Sequence, residues 1–381
     1  MTSAVTLAQI ASIVSTQAFK NRVINGDMRI DQRFNGALMS YTSASSTFRG
    51  VDRFYAINNV GSTGQISSTQ QRVAVTDTSV PHDFAIRMTV GNTAGRTLFD
   101  GRFQHNIEGN MVSDLRFGTA NADSLSASFW IRGSKSGRAH FTMFNDGVGT
   151  QVQFLKTINI TTTWQYVTIS VPPCTISGAG IQRGNTRAFG TGIYWATSGY
   201  NTNTALDGTW QTSWTSVSSV DDFSASGDWI EMTGYQIEKG TAATGFDYRP
   251  AATELQLCQR YFYRVYGIFW SLGVINQPSG SWTLASMSHP TAMRTNPTFG
   301  HNLTDANRVV ASPTANQWSV YNQNVGWGSI SFSPASTFQG IFNGAGSTVQ
   351  GHAGGYYTTF TSGATHIGLG SNLYIEWDAD I

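Results

Sequence analysis

The sequence predicts an all-β protein. A β-sandwich is expected over residues 21–250 and a second, smaller β-rich domain over 251–381, with a short helical or extended arm over 1–20. Three observations carry this. Apolar and polar residues alternate with a period of two in stretch after stretch, as half-buried antiparallel strands require. Clusters of Gly, Ser and Asn separate those stretches where turns are needed. Rings are plentiful and charges scarce, each at 12% of the chain, whereas an average domain is about a quarter charged. Disorder goes with few aromatics and a high net charge, so this is a folding composition.

In chain order, Leu7, Ile10 and Val14 fall at helical spacing within the arm. A helix there would bury that seam against copies of itself or against another protein; an extended arm is the alternative reading. The segment Asn21–Asp31 and the segment Gly234–Pro250 read as the first and last strands of the sandwich. Between them, Leu125, Ala127, Phe129 and Ile131 alternate with Ser124, Ser126, Ser128 and Trp130. Val167, Ile169 and Val171 alternate with Tyr166, Thr168 and Ser170. Turns are marked by GSKSG at 133–137, NDGVG at 145–149 and SGAG at 177–180. After Pro250, Thr253 and Gln256 fit a capping box, and Leu255, Cys258, Phe262 and Val265 share a helical face, so a short helix opens the second domain. Strand patterns return in RVYGIFWSL, GSWTLASM, QWSVY, WGSISFS, GGYYTTFT and NLYIEWDAD. No repeat of 20–50 residues is visible, which argues against solenoids and propellers.

The net charge of +1 comes with no basic stripe, so nucleic acid is not an expected partner. No run of about 20 apolar residues marks a membrane span. The N-terminus lacks the cationic region that precedes the apolar core of a secretory signal. Cys174 and Cys258, far apart, are expected as two buried thiols in a protein made in a reducing cytosol.

Several stretches resemble the jelly-roll proteins of bacteriophage tail fibres and receptor-binding proteins. They are Asn21 to Gly26, Asp52-Arg53-Phe54, Leu125 to Ser134, Thr162 to Val167, Gly208-Thr209-Trp210, Gly234 to Pro250, Leu257 to Phe262 and Met293 to Thr298. They span nearly the whole chain in the family's order. That domain is itself similar to carbohydrate-binding modules. The resemblance implies a jelly roll, a β-rich C-terminal domain and a homotrimer. It also implies a place on the virion, after synthesis in the host bacterial cytoplasm, and adhesion to a host surface glycan. Docking to other virion proteins would fall to the N-terminal arm.

Candidate ligand residues are Tyr194, Trp195, Tyr200, Trp210 and Trp214, set among Gly, Ser, Thr and Asn. Flat rings stack on sugar CH groups while amides and hydroxyls take the sugar hydroxyls; the same rings would equally cap a core or a subunit contact. Asp221, Asp222, Asp228 and Glu231 lie close in sequence. A glycosidase needs two carboxylates at about 5–10 Å, which sequence proximity alone does not give, and solvated turn residues are the plainer reading. Asp27, Asp31 and Asp52 offer oxygen ligands for a structural calcium; no other cofactor is expected. The histidines His82, His105, His140, His289, His301, His352 and His366 make no zinc spacing and are expected mostly at surface and turn positions. Three functions follow: a non-enzymatic trimeric fibre adhesin, a glycan-cleaving depolymerase tailspike, or a structural capsid or collar decoration. Convergence of two carboxylates in a groove separates the second from the others.

Overall fold

A computed structural model describes residues 20–42, 46–60, 67–91, 99–146, 148–198, 204–212 and 222–266. Beyond 266 it describes the strands named below together with residues 290–295 and 379. The arm expected over 1–20 lies outside the described residues except for Lys20. The chain divides into two compact units, Met1–Glu254 with Ile381, and Leu255–Asp380.

The first unit is an antiparallel β-sandwich, as predicted. One sheet has six strands in the order β1 (Met39–Thr42), β4 (Ser67–Ala74), β5 (Phe84–Val90), β13 (Trp229–Lys239), β7 (Leu125–Gly133) and β10 (Gln165–Val171). The other has seven, in the order β12 (Trp210–Gln211), β9 (Gln153–Ile160), β8 (Gly137–Asn145), β11 (Arg187–Ser198), β6 (Phe99–Glu108), β3 (Phe54–Val60) and β2 (Ser46–Arg49). The alternation read from sequence holds: Leu125, Ala127, Phe129 and Ile131 enter the core with Ile169 and Val171. Rings join the two sheets. Phe129 of β7 stacks at 6.2 Å on Phe141 of β8, and Tyr235 of β13 lies 6.3 Å from Phe54 of β3. Such pairs add about 0.5–1.5 kcal/mol beyond their buried area.

The segment Asn21–Asp31 corrects the sequence reading, because it forms no strand. Asn25 and Met28 take positive φ values of 60° and 58°, which breaks an extended ladder. Side chains replace the ladder. Asn21 donates to Tyr235 O at 3.0 Å and its Oδ1 accepts from Val23 N at 2.9 Å and Ile237 N at 3.1 Å. Asn25 donates to Ile30 O and Asp52 O. Buried Arg249 donates to Val23 O and to Glu254. The second segment is a strand only as far as Lys239; residues 240–250 follow as irregular chain.

Helix α1 spans Ala251–Gln259, with Glu254 N donating to Pro250 O at 3.0 Å. Thr253 therefore lies inside the helix rather than capping it, since a proline fixes the entry one turn earlier than the capping-box pattern indicates. Phe262 and Val265 belong to the next strand, not to a helical face. The second unit holds a three-stranded sheet, β14 (Phe262–Tyr266), β24 (Tyr374–Asp378) and β17 (Thr298–His301). It also holds an eight-stranded antiparallel sheet in the order β15 (Ile275–Asn276), β16 (Trp282–Thr283), β22 (Gly355–Phe360), β21 (Ser347–His352), β20 (Gln339–Asn343), β19 (Gly326–Phe332), β18 (Gln317–Asn322) and β23 (Thr365–His366).

Candidate functional site on the six-stranded sheet

A ligand can stack only on rings that water reaches, and exposure sorts the candidates. Trp195 is fully buried in the core, its indole lying where a Cβ on Gly101 would be, at 2.3 Å. Tyr194 points to the opposite face of β11 but is only 4% exposed, with the Arg102 guanidinium 4.9 Å from its ring centre. Trp210 is half-buried; its Nε1 donates to Pro172 O at 2.8 Å and its ring meets Phe117 at 5.1 Å and Phe154 at 5.7 Å. These three are packing residues. Tyr200 and Trp214 lie outside the described residues.

The outward face of the six-stranded sheet presents rings instead. Trp130 and Tyr166 pair across β7 and β10 in register, 5.4 Å apart, and Tyr166 is 46% exposed. Both occupy the phase of their strands that otherwise carries Ser and Thr, so their outward direction follows from the alternation itself. One register step along, Arg87, Glu231 and Arg132 stand opposite one another on β5, β13 and β7. Glu231 is buried; it accepts from Arg87 Nε at 2.7 Å and from Arg132 Nε at 2.6 Å. Trp229, half-buried, lies beneath both guanidiniums at 4.9 and 5.5 Å, and Trp164 faces Arg132 at 4.9 Å. Cation–π contacts of this kind contribute about 0.5–1 kcal/mol at exposed sites. Two buried polar atoms within this cluster, Trp164 Nε1 and Thr233 Oγ1, have no hydrogen-bond partner. Thr233 stands opposite Trp130 in the register.

Each described candidate carboxylate is paired with a cation. Asp222 is held by Arg138, whose Nε donates at 3.0 Å and which keeps the Asp222 carboxyl below its usual range. Asp228 pairs with Lys135 at 2.8 Å, Glu231 is locked between two arginines, and Asp221 lies outside the described residues. The calcium candidates are also committed elsewhere. Asp27 takes Arg29, Asp31 accepts from Phe34 N and Gly36 N, and Asp52 accepts from Gln32. Among the described residues no group of three or more His, Cys, Asp or Glu could hold a metal ion.

Three histidines depart from expectation. His82, His105 and His140 are buried; Thr157 Oγ1 meets His140 Nδ1 at 3.2 Å, and Ile24 N donates to His105 Nε2 at 3.2 Å. Burial holds the His82 imidazole down at about 4, with Asp27 opposing. His289 lies outside the described residues, and His301, His352 and His366 fall in strands of the second unit. Cys174 and Cys258 are both buried thiols. No helix among the described residues is long and apolar enough to cross a membrane.

No family model matches the chain, and no curated protein does. Solved structures similar to it include the enzymatically active domain of tailspike protein 4 from bacteriophage CBA120. That match has 10% identity and a TM-score of 0.31, covering 58% of this chain and 22% of that one. Others are a family 11 carbohydrate-binding module from Clostridium thermocellum (12% identity, 52% of this chain and 94% of that one, TM-score 0.28) and the xylan-binding family 22 module from Paenibacillus barcinonensis (11%, 55% and 97%, 0.27). Neither the identities nor the scores reach a level that assigns a function.

Proposed function

We propose that the first unit is a glycan-binding module and that the chain acts as a non-enzymatic, homotrimeric phage fibre protein adhering to the host surface. The observation that carries the binding is the pairing of exposed Tyr166 with half-buried Trp130 on the outward strand phase, beside Trp229 and an ordered arginine pair. A sugar ring stacks its CH face on such a pair, and the partly exposed Arg132 guanidinium offers polar contacts at its side. Adhesion rather than cleavage is favoured because each described candidate carboxylate is neutralised by a cation, which leaves none to protonate a leaving group or to attack. The virion location and the trimer rest on the resemblance of Asn21 to Gly26, Asp52-Arg53-Phe54 and Gly234 to Pro250 to phage fibre proteins. Weak single contacts would gain strength from several copies acting together.

The test is a glycan panel of neutral and acidic polysaccharides with wild type, Tyr166→Ala and Trp130→Ala. Losing either ring should weaken binding about tenfold, the factor that corresponds to about 1.4 kcal/mol, with the melting temperature of Tyr166→Ala unchanged. Unchanged binding by both variants moves the site off this face. Sedimentation showing a stable monomer at micromolar concentration removes the trimer.

A further inference from the structure

Arg132 is built differently from its partner. Arg87 turns Nε and Nη2 onto one oxygen of Glu231, at 2.7 and 2.5 Å. Arg132 donates to Glu231 through Nε alone, at 2.6 Å, and its two terminal nitrogens have no hydrogen-bond partner among the described residues. The side chain is 27% exposed, and its guanidinium lies between the rings of Trp164 and Trp229. One carboxylate between two guanidiniums leaves this part of the face with an excess positive charge. Asp77 is near enough for its charge to act on Arg132, but it is exposed and accepts from Ser79 N at 2.9 Å and Ser79 Oγ at 2.7 Å.

A planar guanidinium anchored at Nε, braced by two rings and carrying uncommitted terminal N–H groups is a fork for a carboxylate. The bracing lowers the ordering cost that a free arginine would bear on binding. Arg132 and Trp130 are two residues apart on one face of β7, about 7 Å along the strand, so one short saccharide reaches both. We infer that Arg132 is the acid-recognising subsite of the ring-bearing face, taking the carboxylate of a uronate-type sugar whose neighbour in the chain stacks on Trp130 and Tyr166. This rests on the glycan-binding reading above and adds the charge class of the ligand to it.

Matched oligosaccharides test it: galacturonan and mannuronan, each as the free acid and as the fully methyl-esterified, uncharged form, titrated calorimetrically into the full chain. For at least one pair the acid should bind at least tenfold tighter than its ester, with the gap narrowing as salt rises. Arg132→Lys keeps a cation against Glu231 but loses the planar fork; in that variant the acid and its ester should bind equally. Tyr166→Ala should weaken acid and ester alike. Equal affinity for acid and ester in both pairs overturns the inference, as does an acid preference that survives in Arg132→Lys. Binding of neutral glycans only, lost in Tyr166→Ala, sinks this inference while leaving the proposed function standing. No binding to any glycan sinks both.

Discussion

Replacing Asn21 should unfold the first unit rather than alter its binding. The residue opens the segment that side chains tie to the last strand of the sandwich, and it is 1% exposed. Its amide makes three bonds to backbone, to Tyr235 O, Val23 N and Ile237 N, at 3.0, 2.9 and 3.1 Å. Asn21→Ala leaves those three groups without a partner in a site that water does not reach. Each buried group so abandoned costs about 1–3 kcal/mol, and partial relaxation brings the sum to about 3–6 kcal/mol. A domain is stable by only about 5–15 kcal/mol, so the variant should be marginal or unfolded at 37 °C. Asn21→Asp keeps the acceptor but turns a carboxylate oxygen on Tyr235 O, and should be at least as damaging. Guanidinium denaturation followed by tryptophan fluorescence measures the loss. Asn110→Ala serves as the control: this residue is exposed and its side chain makes one long contact to Asn185 at 3.4 Å, so its change should stay within about 0.5 kcal/mol. A loss below about 1 kcal/mol for Asn21→Ala would refute the account of this segment as a side-chain-built edge.

Two further outcomes are expected. Burial pushes the Asp52 carboxyl up to about 6, with Arg33 opposing, and pushes His82 down to about 4. Folded Asp52 holds a proton that the unfolded chain has released, so its contribution to stability falls as pH rises from about 4 to 6. Unfolded His82 binds a proton that the folded state refuses, so its contribution rises from about 4 to 6.5. The two slopes oppose each other. Relative to wild type, Asp52→Asn should therefore gain stability with rising pH across this window and His82→Gln should lose it; denaturation midpoints at three pH values decide, and parallel profiles would contradict the assignment. Separately, alkylation of the unfolded, unreduced protein should label both Cys174 and Cys258, since both are buried thiols; mass spectrometry finding them joined would reverse this.

Much of the fold was legible because period-two alternation reports a local fact, the direction of each side chain. Leu125 to Ile131 and Ile169 with Val171 enter the core as read, and the strands around Gln317, Gly326 and Gly355 fall where their patterns place them. The entry segment was misread because Asn21 and Asn25 bond to backbone through their side chains, and a buried strand-like row such as VIN carries no sign of this. The helix start was displaced because Thr253 and Gln256 satisfy a pattern that Pro250 overrides. His105 and His140 were expected outside because composition speaks only of averages, and a ring with a hydrogen-bond partner is tolerated in an interior.

The site shows where local reading stops. Trp130, Tyr166 and Tyr194 carry the same signal, a large ring on the outward phase of a strand whose inward phase is apolar. Tyr166 is 46% exposed and Tyr194 4%. The difference does not lie in their strands. It lies in place within the sheet: Tyr194 stands on a central strand whose outward neighbours Gln104, His140 and Thr142 are buried, as Ser126, Ser128 and Glu231 are at the centre of the six-stranded sheet, whereas on the edge strand β10 Tyr166, Thr168 and Ser170 all reach solvent. Outward phase is necessary for a stacking platform and is fixed by sequence; exposure is also necessary and is fixed by place within the sheet. A ring-rich stretch such as Thr191–Asp228 draws the eye in a sequence, but a platform needs rings held flat and apart, which a register supplies. Two rings facing each other across paired strands, on the phase that Ser and Thr otherwise fill, is therefore the sharper signal for a binding face.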